Sequence, residues 1–246
     1  MMRNVVVTGG SRGIGLAIAK KLSASGYGVI AVARKKTDHL DAAIAGAVLH
    51  GGESAIKFAP FDLGDIDNVQ SFVAGLRKSY GPIYGLVNNA AIGTEGQLSL
   101  MSNIKIAELV HINTVAPIVL TKYVVRSMMA DGGGRIVNVA SIVAFTGYSG
   151  LSVYSATKAS MVGFTRSLAR EVGRMGVNVN AVAPGFLETE MTEGMTEQQR
   201  ATVARRSALQ RLPAVEDISD AVAFLMGEGA RSITGTVLTV DAGSTA

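Results

Sequence analysis

Tyr154 and Lys158 are a pair of residues whose types and spacing could do chemistry. They stand four positions apart in SVYSATKASMVGF, residues 152–164, and side chains four apart are neighbours on a helix. A phenol has a pKa of about 10, and an ammonium about 4–5 Å away favours the phenolate by roughly 3–4 kcal/mol at an effective dielectric of about 20. The pair predicts a tyrosine whose pKa is lowered towards neutrality for general acid–base catalysis, although the same spacing also arises by chance.

A glycine-rich turn is the second pattern with chemical meaning. In VVVTGGSRGIGLAIAKKL, glycines at positions 9, 13 and 15 separate a β-branched run from a helical pattern. Glycines let the backbone turn sharply and approach a pyrophosphate, and a helix N-terminus offers free N–H groups and the positive end of its dipole. The spacing differs from the generic G-x-G-x-x-G fingerprint. We interpret the turn as a dinucleotide-binding site rather than as a purely structural turn.

The residues after the second β-branched run indicate which dinucleotide binds. An NAD site usually has Asp or Glu about 20 residues after the glycine turn, where it binds the ribose 2′-OH. Here this place reads Arg34-Lys35-Lys36, and Arg12 adds a cation within the turn. An arginine can bind a 2′-phosphate through two hydrogen bonds, and the missing carboxylate removes a like-charge clash. The sequence favours NADP(H), with a solvated basic loop as the alternative.

The elements that must position these residues follow an alternating pattern. The strand-like runs are Asn4–Thr8, Gly28–Ala33, Ser54–Pro60, Ile83–Asn88, Arg135–Ala140, Val177–Ala183 and Thr236–Val240. The helical patterns include Ile14–Ala24, Asp65–Ser79, Ile112–Met129, Val153–Gly173 and Glu216–Met226. Strict alternation predicts the α/β class, a Rossmann-type doubly wound parallel sheet of about seven strands with helices on both faces. Residues 1–246 are expected to form a single domain, in which residues 188–212 are a helical flap over the carboxyl edge of the sheet.

Composition limits the classes of function. Hydrophobic residues make up 48% of the 246 residues, charged residues 17%, and the mean hydropathy is +0.32, which suits a parallel sheet covered on both faces. Cysteine is absent, which excludes disulfide and thiolate chemistry and favours the reducing cytoplasm. The apolar runs are shorter than a bilayer span, the N-terminus lacks a signal-peptide pattern, and the net charge of +4 is dispersed. We therefore expect neither a membrane nor a nucleic acid as partner.

Seven segments together resemble the short-chain dehydrogenase/reductase family over essentially the whole chain. They are TGGSRGIG (8–15), FDL (61–63), NNAA (88–91), HIN (111–113), NVAS (138–141), Tyr154-x3-Lys158 and NAVAPGFLETEM (180–191). Each segment alone is weak, but their order and spacing are specific. Two positions depart from the pattern. Ala91 replaces a usual glycine beside the cofactor, and Leu151 replaces a glutamine that close relatives often carry, which affects the substrate more than the chemistry.

The resemblance implies a catalytic tetrad of Asn113, Ser141, Tyr154 and Lys158. Ser141, at the end of the fifth strand, would hydrogen-bond the substrate carbonyl oxygen and stabilise its developing charge. Asn113 lies in a helical pattern just before Pro117, and a proline removes a backbone donor and can kink a helix. We expect the kink to leave room for a water that relays protons between Lys158 and solvent.

The resemblance also implies the residues of the cofactor site. They are Gly9, Ser11, Arg12, Gly13, Ile14, Gly15, Arg34, Asp62, Leu63, Asn88, Ala90, Tyr154, Lys158, Pro184, Gly185, Leu187 and Thr189. Within this set Asp62 would contact the adenine, Asn88 and Ala90 the adenosine half, and the residues from Pro184 onward the nicotinamide carboxamide. No metal is expected, because the three histidines (His39, His50 and His111) show no metal-ligand spacing.

Within the family, the length and VAPGFLETEMT most resemble bacterial 3-oxoacyl-[acyl-carrier-protein] reductases. The resemblance implies NADPH-dependent reduction of a 3-oxoacyl thioester, with Arg126 and Arg170 at positions that dock the acidic carrier protein. Arg166, Arg170 and Arg174 would share one helix face, and a merely solvated face is the alternative. In the family the long apolar helices, here Ile112–Met129 and Val153–Gly173, pair across two-fold axes, so the resemblance implies a homotetramer.

Other functions use the same residues. The alternative enzymes are a reductase of acetoacetyl-CoA, a reductase in a polyketide or other specialised fatty-acid pathway, and a dehydrogenase of a small ketone or sugar alcohol. The alternative of another class is a non-catalytic NADP(H)-binding sensor, which would have no need for Tyr154 and Lys158 together. The residues Ile142, Phe145 and Leu151 and the flap are expected to shape the substrate pocket.

Overall fold

The computed structural model describes residues 2–48, 54–187 and 197–246. Its strands are β1 Asn4–Thr8, β2 Gly28–Ala33, β3 Ile56–Pro60, β4 Ile83–Asn88, β5 Gly134–Val139, β6 Val177–Pro184 and β7 Val237–Val240. Its α-helices are α1 Gly13–Ala24, α2 Asp38–Gly46, α3 Val69–Tyr80, α4 Asn103–Val110, α5 Ala116–Ala130, α6 Ser152–Val172, α7 Glu197–Arg206 and α8 Val215–Met226. The alternation predicted from the sequence is thus confirmed.

The strands form one parallel sheet in the order β3-β2-β1-β4-β5-β6-β7. The order reverses direction between β1 and β4, because the chain first builds outward to β3 and then returns to the other side of β1. Ligands of such sheets bind beyond the carboxyl ends of the strands at this reversal. The doubly wound α/β prediction is confirmed, and it locates the cleft between the ends of β1 and β4.

Helices cover both faces of the sheet with aliphatic side chains. On one face, Leu16 and Ile18 of α1 and Val222 of α8 pack with Val5 and Val137 of the sheet. The other face carries a second cluster that α3, α5 and α6 share with the strands. Burial of this area is the main source of stability, at about 25 cal/mol per Å² of apolar surface.

The helix from Asn103 to Ala130 departs from the sequence prediction. It begins nine positions before the predicted start at Ile112, and its middle residues, His111–Val115, form a π turn between α4 and α5. Its length and apolar composition meet the criteria for a membrane-spanning helix, and 33% of its most apolar window is buried. Leu120 and Val124 are fully buried against the sheet, which is the expected position for a core helix.

The remaining boundaries differ by small shifts. The predicted strand Ser54–Pro60 begins at Ile56, and the predicted helix Asp65–Ser79 consists of a 3-10 turn over Ile66–Asn68 followed by α3. The helix α7 lies in the predicted flap, whose residues 188–196 lie outside the described residues.

Candidate active site

The glycine turn forms a backbone cradle at the end of β1. Gly9 and Gly13 have φ values of +65° and +52°, which disfavour residues with a Cβ. A Cβ on Gly15 would lie 2.1 Å from the Gly9 carbonyl oxygen, so the turn has no space for a side chain there. The first turn of α1 contains no acidic residue, so its N–H groups and dipole favour an anion. The cradle fits a pyrophosphate.

Thr8 and Asn89 fix this cradle to the end of β4. The Asn89 Nδ2 donates to the Thr8 carbonyl at 2.9 Å, while the Thr8 hydroxyl accepts from the backbone N–H groups of Asn89 and Ala90, both at 3.0 Å. Sequence analysis missed Asn89 as a site residue. The sequence does contain a signal for Asn89, which directly follows Asn88 at the end of a strand. Side chains of consecutive strand residues point to opposite faces, so the two asparagines are expected to have different partners.

Asn88, by contrast, points into the protein. Its Nδ2 donates to Asn138 Oδ1 of β5 at 2.8 Å and to Thr121 Oγ1 of α5 at 2.9 Å. Asn138 Nδ2 in turn donates to Thr165 Oγ1 of α6 at 2.8 Å. These four buried residues form a polar ladder between the sheet and two helices, which commits Asn88 Nδ2 and leaves the buried Asn88 Oδ1 without a hydrogen-bond partner among the described residues. Ala90, the other predicted residue here, borders the cradle, with its Cα 3.1 Å from where a Gly9 Cβ would be.

The basic loop after β2 lies beside the cradle. Thr37 donates to the Ser11 carbonyl at 2.6 Å and caps α2 by accepting from Leu40 N at 3.2 Å, so the loop is tied to the glycine turn. Lys36 pairs with Asp41 at 2.8 Å. Arg34 is exposed and forms no ion pair with any described residue. Its side chain is therefore exposed to solvent, and its binding of a 2′-phosphate stays a prediction.

The predicted adenine loop is held by a histidine. The Asp62 carboxylate accepts from Gly64 N at 2.9 Å, and His111 Nε2 donates to the Gly64 carbonyl at 2.9 Å. Asp62 is exposed, whereas Leu63 is half-buried against the core. His111 is the first residue of the π turn, so this loop is tied to the segment that carries Asn113.

Ser141, Tyr154 and Lys158 converge at the end of β5. Lys158 Nζ donates to the carbonyl of Val139, the last residue of β5, at 2.8 Å, and lies 5.7 Å from the centroid of the Tyr154 ring. Ser141 follows two residues after Val139, and its hydroxyl oxygen accepts from Val143 N at 3.4 Å. The strand β5 and the helix α6 therefore place Lys158 and the Tyr154 ring at the end of β5, and Ser141 lies in the segment that follows the same strand.

Burial determines the protonation of the tyrosine and the lysine. It raises the pKa of Tyr154 to about 12 and lowers the pKa of Lys158 to about 8, because a low dielectric disfavours the charged form of each group. The sequence predicted a lowered tyrosine pKa, and that direction is wrong. The Lys158 ammonium is hydrogen-bonded to the Val139 carbonyl. For Tyr154, the solvation that the phenolate loses on burial outweighs its attraction to this ammonium.

Asn113 lies within the π turn and is fully engaged. Its Oδ1 accepts from Ile92 N and its Nδ2 donates to the Ile92 carbonyl, both at 2.8 Å; Nδ2 also donates to Thr157 Oγ1 at 3.2 Å. The wide turn lies before Pro117, which occupies the first turn of α5. In an α-helix the residue at 117 would donate to the carbonyl of Asn113, and proline has no N–H. The predicted kink is therefore a π turn at Asn113.

The predicted nicotinamide residues follow β6. Gly185 N donates to the Val240 carbonyl at 2.9 Å, and a Cβ on Gly185 would lie 2.6 Å from Asp241 Cβ, so only glycine fits between Pro184 and this neighbour. Leu187 is buried. Thr189 lies outside the described residues.

The carboxyl-terminal turn after β7 also contacts the segment that follows α7. Ala208 N donates to the Gly243 carbonyl and Leu209 N to the Ala242 carbonyl, at 3.2 and 3.0 Å. Asp241 holds this turn by accepting from Gly243 N and Thr245 N, both at 2.9 Å. The same turn thus supports Gly185 and the end of the predicted flap.

Apolar side chains surround the mouth of the site. Phe145 and Tyr148 are 51% and 58% exposed in the loop between β5 and α6. Gly96 N donates to the Gly150 carbonyl at 3.0 Å and joins this loop to the one after β4. The two departures from the family pattern lie on these loops, and both Ala91 and Leu151 are half-buried.

The arginines predicted to dock a carrier protein lie on helix surfaces outside the site. The predicted carrier-docking residues Arg126 of α5 and Arg170 of α6 are exposed on the outer side of these helices. Arg166 and Arg174 are also exposed, and none of the four forms an ion pair with a described residue. In the described part of the chain, no three His, Asp or Glu residues lie close enough together to hold a metal ion; His50 lies outside it.

Comparison with known proteins agrees with this geometry. Residues 3–200 match the family model of the short chain dehydrogenases. The chain is 39% identical over 238 residues to the 3-oxoacyl-[acyl-carrier-protein] reductase FabG of Haemophilus influenzae, covering 97% of this chain and 96% of the relative. It is 37% identical over 244 residues to the reductase of the same name from Escherichia coli, covering 97% and 95%.

Solved structures show the same fold. A short-chain dehydrogenase/reductase double mutant from Serratia marcescens superposes with a TM-score of 0.90 at 31% identity, covering 99% of this chain and 98% of that one. A structure from Agrobacterium tumefaciens superposes with a TM-score of 0.92 at 22% identity, covering 98% and 95%, and shares the fold alone.

Proposed function

This chain belongs to the short-chain dehydrogenase family, and we propose that it reduces 3-oxoacyl thioesters, bound to acyl carrier protein, to 3-hydroxyacyl thioesters with NADPH. The observation that carries the proposal is the convergence of Ser141, Tyr154 and the buried Lys158 at the end of β5, beside a side-chain-free cradle. The identity of 37–39% with bacterial reductases of this name over nearly the full chain supports the substrate class.

The chain's own residues fit the cofactor. The cradle of Gly9, Gly13 and Gly15 would hold the pyrophosphate at the N-terminus of α1, and Arg34 would bind the 2′-phosphate. Gly185, which has no space for a Cβ, would lie against the nicotinamide half. When bound, NADPH supplies the hydride that the carbonyl carbon accepts.

Tyr154 would act as the general acid. With a pKa of about 12, the phenol is protonated at neutral pH and can give its proton to the substrate oxygen as that oxygen becomes an alkoxide. The Ser141 hydroxyl, at the end of β5, would donate a second hydrogen bond to the same oxygen and stabilise its developing charge.

Lys158 would restore the proton that Tyr154 gives up. Its pKa of about 8 leaves most of it protonated at pH 7, and its bond to the Val139 carbonyl fixes the ammonium near the tyrosine ring. Phenolate formation creates an opposite charge beside the ammonium, which strengthens their attraction in a site of low dielectric. Asn113, in the π turn, would complete the proton relay, in which a water passes protons between Lys158 and solvent.

The test of this function is NADPH oxidation by the purified protein with acetoacetyl-CoA, a carrier-bound acetoacetyl group and a panel of free ketones. We expect turnover of both thioesters, faster on the carrier, and a loss of about a thousandfold in Tyr154→Phe. Activity on free ketones alone would replace the substrate and retain the chemistry. Tight NADPH binding without turnover of any substrate would favour the sensor.

Cofactor choice is tested by Arg34→Ala, with Lys35→Ala as the matched control on the same exposed loop. The variant loses a contact that Arg34 would make to the 2′-phosphate through two hydrogen bonds. This loss should raise the KM for NADPH at least tenfold and leave the KM for NADH unchanged. Equal KM values for NADPH in the wild type and Arg34→Ala would contradict this assignment.

Arg126 and Arg170 are proposed to dock the carrier protein, because both are exposed and form no ion pair with a described residue. In Arg126→Ala and Arg170→Ala we expect a KM increase of about tenfold for the carrier-bound substrate at low salt, with acetoacetyl-CoA unaffected. Arg231→Ala, an exposed arginine elsewhere, is the control. An unchanged KM in both variants would remove the support for carrier docking.

We propose that residues 188–212 form one wall of the substrate pocket.

We also propose that the protein is a cytoplasmic homotetramer. Ile104, in the first turn of the long helix, and Leu100, three residues before that helix begins, are both 82% exposed, and Leu98 is 55% exposed. Large apolar patches on a surface mark interfaces. Light scattering should give four times the chain mass of 25.5 kDa. An active monomer would refute the tetramer.

A further inference from the structure

We propose that Thr157, between Tyr154 and Lys158 in the sequence, is a positioning residue that holds Asn113 in register with the catalytic helix. Its hydroxyl bonds at once to the backbone of Tyr154 and to the side chain of Asn113. The catalytic part of this inference rests on the proposed reductase function, whereas the contact itself can be tested in the protein without any substrate.

The direction of each hydrogen bond follows from the partners. The carbonyl of Tyr154 can only accept, so the Thr157 hydroxyl donates to it, at 2.7 Å. The oxygen of that hydroxyl is then free to accept from Asn113 Nδ2 at 3.2 Å. The second N–H of the same amide donates to the Ile92 carbonyl, and Asn113 Oδ1 accepts from Ile92 N. Both N–H groups are committed, which fixes the amide in one orientation.

Water cannot replace the Thr157 hydroxyl, because both side chains are inside the protein. Thr157 and Asn113 are each only 2% exposed. If the hydroxyl is removed, one N–H of Asn113 is left buried without a partner, and such a group carries the full penalty of its lost hydration. The amide can reduce that penalty only by rotating away from Ile92 or by moving the π turn.

Many helical threonines simply bond to a carbonyl in the preceding turn. Thr165 of the same helix donates to the Met161 carbonyl at 2.7 Å, and its second bond, accepted from Asn138 Nδ2 at 2.8 Å, ends in the sheet. Thr157 differs because its second bond crosses to the π turn and ends on a predicted catalytic residue. The bond joins Asn113, the Tyr154 backbone and Ile92 into one connected set.

A neighbouring contact also joins the π turn to α6 without touching the catalytic side chains. Thr114 Oγ1 and Ser160 Oγ lie 2.9 Å apart, and Ser160 also donates to the Thr157 carbonyl at 2.6 Å. This pair would hold the π turn and α6 together after the loss of the Thr157 hydroxyl. Ser160→Ala therefore provides a matched control for general loosening of the helix contact.

The catalytic consequence is a loss of geometry. A reacting group displaced by about 1 Å can lower a rate up to a hundredfold. In Thr157→Val, which keeps the shape of the side chain, we expect kcat for acetoacetyl-CoA reduction to fall about tenfold with KM for both substrates within twofold. Thr157→Ser keeps the hydroxyl and should restore most of kcat, and Ser160→Ala should match the wild type.

The structural readout is hydrogen exchange at the Ile92 amide, measured by mass spectrometry on the protein without ligands. Since Ile92 N donates to Asn113 Oδ1 at 2.8 Å, a displaced amide should speed exchange of that proton at least fivefold in Thr157→Val. Exchange should be unchanged in Thr157→Ser and in Ser160→Ala. Thr157→Ala serves as a second variant if valine prevents folding.

Each result supports or overturns the inference. Wild-type exchange at Ile92 in both the valine and alanine variants would overturn it, and so would a serine variant as impaired as the valine variant. A wild type that turns over no carbonyl substrate would refute the proposed function instead. The exchange measurement would still decide whether Thr157 positions Asn113.

Discussion

On one face of the sheet, α1 and α8 lie mainly on aliphatic side chains, whereas on the other face a ladder of buried side-chain hydrogen bonds also joins α5 and α6 to the strands. Val137 and Asn138, neighbours in β5, show the contrast. Both are 0% exposed, but Val137 belongs to the apolar cluster under α1 and α8, while Asn138 bonds to Asn88 and to Thr165 of α6. The helices that carry Asn113, Tyr154 and Lys158 are the ones fixed by polar pairs.

The difference follows from how the two kinds of contact respond to displacement. Aliphatic side chains tolerate small shifts and repacking with limited loss of free energy. A buried hydrogen bond tolerates them poorly, because an unpaired donor in a low dielectric is strongly destabilised. We infer that the polar face specifies the position of the catalytic helices, while the apolar face supplies mainly burial, with the hydroxyls of Tyr27 and Tyr84 donating to the Met226 carbonyl at the end of α8.

The largest expected effect comes from the buried cation on the polar face. Lys158→Met should abolish turnover, with a loss of at least a thousandfold, and yet stabilise the fold at pH 7 by about 1–3 kcal/mol, since burial lowers the lysine pKa from 10.5 to about 8. The sign follows from proton binding: between pH 8 and 10.5 the unfolded chain binds more protons than the folded one, so wild-type stability rises with pH there. Urea unfolding at pH 7 and pH 10 checks both points.

This stabilisation should be present in full at pH 7 and should shrink towards pH 10. Denaturation midpoints of Lys158→Met below those of the wild type at pH 7 would show that the hydrogen bond to Val139 outweighs the burial of the charge.

A paired experiment in β5 tests the comparison directly. We expect Asn138→Ala to lower the free energy of unfolding by about 2–4 kcal/mol, because Asn88 and Thr165 lose a buried partner. Val137→Ala, one residue away on the apolar face, should lower it by about 2–3 kcal/mol through the cavity alone. Only Asn138→Ala should also lower kcat, by about tenfold. Equal kcat values in the two variants would show that the polar ladder does not position α6.

The smallest effect is expected at a residue on neither face. Ala242, in the turn after β7, has a φ of +56°, a conformation that costs a residue with a Cβ roughly 1 kcal/mol relative to glycine. Ala242→Gly should raise the free energy of unfolding by about 0.5–1 kcal/mol with kcat unchanged. A lower melting temperature in this variant would mean that the added freedom of the unfolded chain exceeds the relief of strain.

The sequence predicted those parts of the site that depend on local spacing. The glycine turn, the Tyr154–Lys158 pair and the order of the strands follow from short patterns whose geometry is set by one strand or one helix. The partners of Asn88 and Asn113 did not follow. Thr121 lies 33 positions from Asn88, and Thr157 lies 44 from Asn113, so their contacts depend on how α5 and α6 dock on the sheet.

The pKa values of Tyr154 and Lys158 could not be predicted for a related reason. The spacing gives their separation, but the dielectric around them depends on which distant residues cover them. Residue spacing does not reveal that Lys158 is almost completely buried, at 4% exposure, or that it bonds to the Val139 carbonyl. The roles predicted for the flap residues 188–196, which include Thr189, stay predictions.

The π turn at His111–Val115 has a consequence for the length of the chain. A π turn accommodates one more residue than the corresponding α-helical turn does, so deleting a single residue there would allow regular α-helix while α4 and α5 keep nearly the same faces. Leu109 would stay buried, but the hydrogen bonds of Asn113 to Ile92 and of His111 to Gly64 depend on the wide turn and would be lost. We expect such a deletion to preserve the fold and to abolish the geometry of the site.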